Sequence, residues 1–393
     1  MIHSVNSIRV IAEFFVVKYH LFHRIDSEAV RPGALTTLAS IDLMSFFFVL
    51  SGFVCMHAHI GDNFSHREDC IRYFMSKLAK MYPIYILLLF ITLVTHPIPD
   101  NPWFWGCFTA DIFLVSPWMY CMKSCGSRAV AWYLSVLFWL WMIFPFVCGK
   151  MNLMFREKTW MKIILLYLIS LLPWIYLVFS PWEYFDYAMI PLFRLPEFMI
   201  GCALNFTLHQ RINTCWFLSV CLFLSAYYIA EFLVFPHYSL CMGLAKKIGI
   251  VHNPIRYELI PDYLNCTPIW SIARSRMALG WAVLIHWIAC TELQGGSTFF
   301  LQWDVFKSLS VFSLQVYMGH EAFSGLLMEV AGLMGPVNRL FQMDTMMIGT
   351  YALCYLFFIL VQPWLDRIGQ RIFIAHKTEV RLPSPSSSVE ELQ

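Results

Sequence analysis

Apolar residues run along this chain in blocks about as long as a lipid bilayer is thick, with short polar connections between them. A helix rising about 1.5 Å per residue needs about 20 apolar residues to cross a hydrocarbon core of about 30 Å. Blocks of that kind fall near 8–25, 39–58, 80–97, 130–149, 160–180, 187–207, 215–235, 271–291, 306–331 and 345–365. The pattern predicts an all-α, polytopic transmembrane helix bundle of about ten spans. One further apolar stretch, Trp103 to Trp118, is shorter, contains Asp111 and is bounded by Pro102 and Pro117. Residues 1–375 are expected to form one transmembrane domain. Residues 376–393, Pro- and Ser-rich from Leu382 onward and carrying a glutamate pair, are expected to be a disordered tail.

Charge decides the orientation. The connection 59–80 carries Arg67, Arg72, Lys77 and Lys80, whereas 98–103 has no Lys or Arg, so the first is expected on the cytoplasmic side. The next strongly basic connection, with Lys150, Arg156 and Lys158, reaches that side only if Trp103–Trp118 does not cross. That stretch is therefore expected to be re-entrant or interfacial, at the cost of leaving Lys123 and Arg128 outside. Both termini then lie in the cytoplasm, and Arg367, Arg371, Lys377 and Arg381 near the end agree. The first block is interrupted by Glu13 and Lys18 and lacks a small-x-small cleavage site close behind it. It is expected to act as its own anchor.

Composition narrows the class further. Of 393 residues, 59% are apolar and 13% charged, against about 25% charged in an ordinary soluble chain. With 27 basic and 25 acidic residues the net charge is only +2, so no nucleic-acid partner is expected. Membrane lipids are the expected surroundings, and no feature fixes an oligomeric state. Thirteen cysteines are scattered without CxxC pairs or His/Cys ligand spacing, so no metal is expected from spacing. Those inside apolar blocks (Cys55, Cys148, Cys202, Cys221, Cys290, Cys354) read as small hydrophobes. Cys107, Cys121, Cys125, Cys241 and Cys266 fall outside, where a disulfide among them is open and its pairing undetermined. Of the N-x-[ST] sites at Asn63, Asn205 and Asn265, only Asn265 is expected outside.

Ionisable residues inside a bilayer are expensive and therefore functional candidates. The first span holds Arg9, Glu13 and His20. Arg9 and His20 are eleven positions apart, which at about 100° each makes three turns plus about 20°. Glu13 lies within about 40° of the same line. The three form one stripe, with Arg9 and His20 separated by about 16 Å along the axis. Such a stripe suits chemistry or transport across the membrane. The plainer alternative makes Arg9 a flanking anchor, Glu13 its i,i+4 partner and His20 a satisfied bundle residue. Lys18 points to the opposite face and reads as structural or snorkelling.

The Arg9-x10-His20 spacing resembles the R-x10-H that opens the acyltransferase-3 family of membrane O-acyltransferases. Further motifs follow in the family's order. Phe46-Phe-Phe-Val-Leu-Ser51-Gly52-Phe53 is similar to its F-F-V-L-S-G-F, and Lys77-Leu-Ala-Lys80-Met-Tyr-Pro83 to its R-x-x-R-I-Y-P. Trp132-Tyr-Leu-Ser135 through Pro145 resembles W-S-L-S-V-E-E-Q-F-Y-L-L-F-P. Arg194-Leu-Pro-Glu197-Phe-Met-Ile-Gly201 resembles R-L-x-E-F-L-x-G, and Ser313-Leu-Gln-Val-Tyr317-Met-Gly-His320 resembles S-Y-S-I-Y-L-W-H. The departures are equally specific. Leu137 and Phe138 stand where many members have glutamates, Lys77 and Lys80 replace arginines, and Ser45 occupies a position that is often Asp, with Asp42 one turn earlier.

The resemblance implies transfer of an acyl group, commonly acetyl, from cytoplasmic acyl-coenzyme A to a hydroxylated acceptor such as a glycan, a lipid or a small molecule. On that reading His20 is the general base or a transient acyl carrier, with Arg9 and Glu13 in the same catalytic stripe. Arg72, Lys77, Lys80, Arg194 and Glu197 become candidates for binding the donor, no metal being needed. Asp42, Ser51, Ser313, Tyr317 and His320 become candidates for lining the substrate passage. For several of these a structural role stands beside the functional one. Arg194 and Glu197, three apart, can pair with each other; Ser51-Gly52 can serve close helix packing; Tyr317 and His320 can be packing groups; and His286 reads as a satisfied bundle residue. Two other classes remain open: a permease with an Arg9-Glu13-His20 relay, and a catalytically silent relative that binds acyl donors.

Overall fold

The computed structural model describes residues 2–25, 43–62, 64–95, 102–119, 131–155, 157–179, 190–208, 277–332 and 339–374. Among them all regular structure is helical: α1 (His3–Ile25), α2 (Leu43–His59), α3 (Arg67–Thr95), α4 (Phe104–Ile112), α5 (Ala131–Met154), α6 (Thr159–Phe179), α7 (Pro191–Leu204), α8 (Ala278–Leu293), α9 (Asp304–Val311), α10 (Ser313–Gly332), α11 (Arg339–Leu360) and α12 (Gln362–Phe373). Single 3-10 turns follow α4, α7 and α8. Among the described residues two helical stretches, Arg67–Thr95 and Trp132–Met151, are long and apolar enough to cross a bilayer unaided, and the bent pair Asp344–Leu360 and Gln362–Phe373 passes the same test only when taken together as one broken stretch. Leu43–His59, Thr159–Leu172 and Ala278–Leu293 are shorter apolar helices. The block expected at 215–235 lies outside the described residues, as do Asp42, Asn265 and the tail from 376.

Two expected spans are broken. The block at 306–331 divides at Phe312 into α9 and α10, and the block at 345–365 divides at Val361, where α11 and α12 meet at 51°. At the second break Pro363 has no amide hydrogen to continue the ladder, and its ring would meet the carbonyl four residues back.

The Trp103–Trp118 stretch behaves as its length requires. α4 has 9 residues, about 13 Å, too short to cross as a helix. It descends antiparallel to α3: Phe108 meets Phe90 at 5.6 Å between ring centroids, the Tyr85 hydroxyl donates to the Asp111 carbonyl at 2.9 Å, and Tyr82 donates to that of Ile112 at 2.9 Å. The chain then turns at Leu114, which has φ +57°. The Val115 N–H bonds the Ala110 carbonyl and the Leu114 N–H that of Asp111, both at 2.9 Å, a Schellman pattern with leucine in the position that usually holds glycine. Trp139 of α5 closes the turn by donating to the Leu114 carbonyl at 2.7 Å. Cys107, on this helix, is disulfide-bonded.

α2 and α7 pack backbone to backbone. A Cβ placed on Gly52 would collide with the Phe198 carbonyl, and one on Gly201 with the Val49 carbonyl. The two glycines are reciprocal, so the backbones touch, and the packing role expected for Ser51-Gly52 is the one found. Around this pair Phe46, Phe48, Phe53, Phe144 and Phe198 form the fully buried core. Cys55, Cys148, Cys202, Cys290 and Cys354 are buried free thiols within the bundle. Asn205 is buried, its amide donating to the Phe53 carbonyl at 2.9 Å, so it is closed to glycosylation. His286 accompanies it as a satisfied core residue, with Nε2 2.9 Å from the Thr207 carbonyl.

Candidate active site

α1 is pinned along its length by polar groups that follow residue 291. Glu292 accepts from the backbone N–H groups of His3 and Ser4, both at 2.7 Å, satisfying two donors that a helix start leaves open. The Ser4 hydroxyl bonds that of Thr298, and Ser7 donates to the Leu301 carbonyl at 2.6 Å. Arg9 donates from Nη2 to the Ser310 carbonyl at 3.0 Å, and Ser313 donates to a Glu13 carboxylate oxygen. His20 Nδ1 lies 3.5 Å from Glu321 Oε1, and its ring is 5.1 Å from that of His320. From Arg9 onward the partner is always about 300 positions further along the chain. A constant offset between two helices of equal rise means that α1 and α10 run parallel and side by side.

The stripe expected on α1 is therefore real as a face, and the face is turned to α9 and α10. The hydrogen bonds of its charged groups run to those helices. Among the described residues Arg9 and Glu13 bond to Ser310 and Ser313 rather than to each other. Glu13 is 2% exposed; its Oε1 has no hydrogen-bond partner among the described residues, and neither has Arg9 Nε. A buried carboxylate oxygen and guanidinium nitrogen without partners are costly unless a water or a substrate group meets them.

Tyr317 and His320 occupy the same region. Tyr317 stands between the rings of Tyr133 at 5.0 Å, Phe47 at 6.0 Å and His320 at 6.1 Å. Ser51 reaches this belt through a 3.2 Å hydrogen bond between its hydroxyl and that of Tyr133. His320 Nδ1 is 2.8 Å from the Tyr317 carbonyl, so Nδ1 carries the proton and Nε2 keeps a lone pair. His20, Arg9, Glu13, Ser51, Ser313, Tyr317 and His320 thus line one continuous face, drawn from α1, α2 and α10, with Tyr133 of α5 beside Ser51 and Tyr317.

The remaining candidates sit elsewhere. Arg72 and Lys80 are exposed on α3, with Arg72 3.6 Å from Asp69. Lys77 is half-buried, its ammonium 5.0 Å from the Tyr73 ring centroid and 5.4 Å from that of Trp141. Arg194 and Glu197 form a forked pair at 3.0 and 3.2 Å, with side chains 1% and 0% exposed, and the guanidinium lies 5.3 Å from the Phe48 ring. That pair is closed inside the bundle. Leu137, at a position often acidic in the resembled family, belongs to the apolar core.

Glu321 is the site residue that the sequence reading passed over. Its signal was present: an ionisable residue inside an expected span, directly after His320. Tyr133 was visible only as one letter of a motif.

Comparison with curated proteins and with solved structures finds no match. A family model for the acyltransferase domain (Acyl_transf_3) matches residues 2–366, nearly the whole chain, including every helix that builds the His20 face. With its apolar helices and the buried ionisable face between α1 and α10, the chain belongs to the acyltransferase-3 family of membrane acyltransferases.

Proposed function

We propose that this protein transfers an acyl group, acetyl being the expected one, from acyl-coenzyme A to the hydroxyl of a glycan, lipid or small-molecule acceptor, with His20 as general base. The observation that carries the reading is the pairing of His20 with the Glu321 carboxylate on a face that also holds Arg9 and Glu13. With Nδ1 turned to the Glu321 carboxylate at 3.5 Å, the imidazole presents the Nε2 lone pair to the substrates. His20 takes the acceptor's hydroxyl proton as that oxygen attacks the thioester carbonyl carbon. The tetrahedral intermediate then collapses, the C–S bond breaks, and the proton passes from His20 to the departing thiolate. Glu321 is a positioning residue, fixing the ring and offsetting the imidazolium charge.

With both termini in the cytoplasm on this reading, Arg72 and Lys80, exposed in the first half of α3, lie on the side of the donor. There they attract the coenzyme's phosphates as cations. Arg9 and Glu13, with unmet polar atoms beside the path, orient the pantetheine arm or the thioester.

The test is transfer from labelled acetyl-coenzyme A to a panel of hydroxylated acceptors by purified protein, comparing wild type with His20→Ala and Arg9→Ala. Transfer by the His20 variant at the wild-type rate would remove His20 from the mechanism.

A further inference from the structure

His20, His320 and Glu321 each offer one ligand atom, and the three atoms lie within 4.8 Å of one another. The geometry points to a site for one divalent transition-metal ion of the zinc class, bound by these three side chains with a fourth position open. Two imidazoles and one carboxylate are a donor set that zinc takes when it keeps a position for water or substrate. Zinc–nitrogen bonds of about 2.0–2.1 Å place tetrahedral ligands about 3.4 Å apart. The His20–Glu321 edge, 3.5 Å, is already at that length, so closure needs only a small movement of the His320 ring. His320 is prepared for it, because its Nδ1 is held by the Tyr317 carbonyl at 2.8 Å. Ligating histidines are usually fixed in this way, by a hydrogen bond from the other ring nitrogen to a carbonyl or carboxylate. His320 is 1% exposed, whereas the His20 side chain is 25% exposed, so the ion reaches the site from the His20 side.

The consequence for activity rests on the function proposed above. An ion on His20 and Glu321 separates the imidazole from the carboxylate that orients it. It also ties His20 to a cation, which opposes the imidazolium that proton transfer would form. Zinc at this site therefore inhibits acyl transfer, reversibly and in competition with chelators.

The experiment uses purified full-length protein in detergent, stripped with a chelator and titrated with Co2+, then with Zn2+ as competitor. One equivalent of Co2+ is expected to bind with a visible ligand-field band that Zn2+ abolishes. His320→Ala and Glu321→Gln, tested separately, are each expected to weaken binding about 10-fold or more. Absence of the band in wild type, with no bound metal by elemental analysis, would overturn the site whatever the variants do. Unchanged affinity in both folded variants would overturn it too. Acyl transfer measured in chelator and with one equivalent of Zn2+ separates the two claims. Activity in chelator that zinc abolishes supports inhibition, and activity that requires zinc overturns it while leaving the site. Loss of transfer in both conditions, with Co2+ still bound, sinks the proposed function and the inhibition together and leaves the metal site standing.

Discussion

His20 and Glu321 meet at 3.5 Å although they are far apart in the sequence, and the contact exists because α1 and α10 run parallel in register. A carboxylate that orients a catalytic imidazole acts on turnover more than on substrate affinity. His20→Ala is expected to lower kcat by roughly 10²–10⁴-fold. Glu321→Gln is expected to lower kcat by a smaller factor with KM for the acyl donor little changed, and Glu321→Asp to recover part of the loss. A Glu321→Gln variant with altered KM alone would mean that the residue binds substrate and does not position His20.

The α1 stripe was legible because helical periodicity needs only one segment. Arg9, Glu13 and His20 share a face for any helix through them, and the structure turns that face to α9 and α10. What the face would meet was not legible, since sequence spacing carries no information about which distant helix packs there. That is why spacing alone offers Glu13 its i,i+4 neighbour Arg9, whereas the hydrogen bond to its carboxylate comes from Ser313. The same limit hid the His20, His320 and Glu321 cluster from any search for ligand spacing. The breaks at Phe312 and Val361 lie inside apolar blocks, and hydropathy registers neither an interruption of a helix nor the 51° bend at the second.

The Gly52–Gly201 contact gives a stability prediction with internal controls. Gly52→Ala and Gly201→Ala each force a methyl into a facing backbone carbonyl, which α2 and α7 can relieve only by separating. Overpacking of this kind costs about 1–3 kcal/mol, and both variants are expected to show a lower Tm in detergent. Gly106 and Gly149 are also helical, but a methyl there meets nothing. Alanine at those positions is expected to be neutral or to stabilise by up to about 1 kcal/mol through helix propensity.

Donor binding should divide the three basic candidates on α3. Arg72 and Lys80 are exposed to solvent, where phosphates can reach them, so Arg72→Gln and Lys80→Gln are expected to raise KM for acyl-coenzyme A and to weaken its dependence on ionic strength. Lys77 sits against Tyr73 and Trp141, where a cation over aromatic faces contributes about 0.5–2 kcal/mol. Lys77→Met is expected to lower Tm. If it instead raises KM as the other two do, with Tm unchanged, Lys77 leaves the aromatic rings to meet the donor.

The Arg194–Glu197 pair can be assigned to structure or to ligand binding by comparing single with double substitutions. Both side chains are fully enclosed, so removing one charge takes its forked counter-charge from the other in a low-dielectric interior. Arg194→Met or Glu197→Leu alone is expected to cost about 3–5 kcal/mol, enough to lose most folded protein. Replacing both with apolar groups of similar volume removes two desolvation costs along with the attraction, an exchange that is often neutral or favourable. The double variant is therefore expected to fold, by size-exclusion profile and Tm, better than either single one. Its activity then decides the role. Near wild-type transfer means that the pair braces α7 against α2, where Arg194 lies over Phe48. A well-folded double variant without transfer would instead place the pair's charges in the path of the acyl donor.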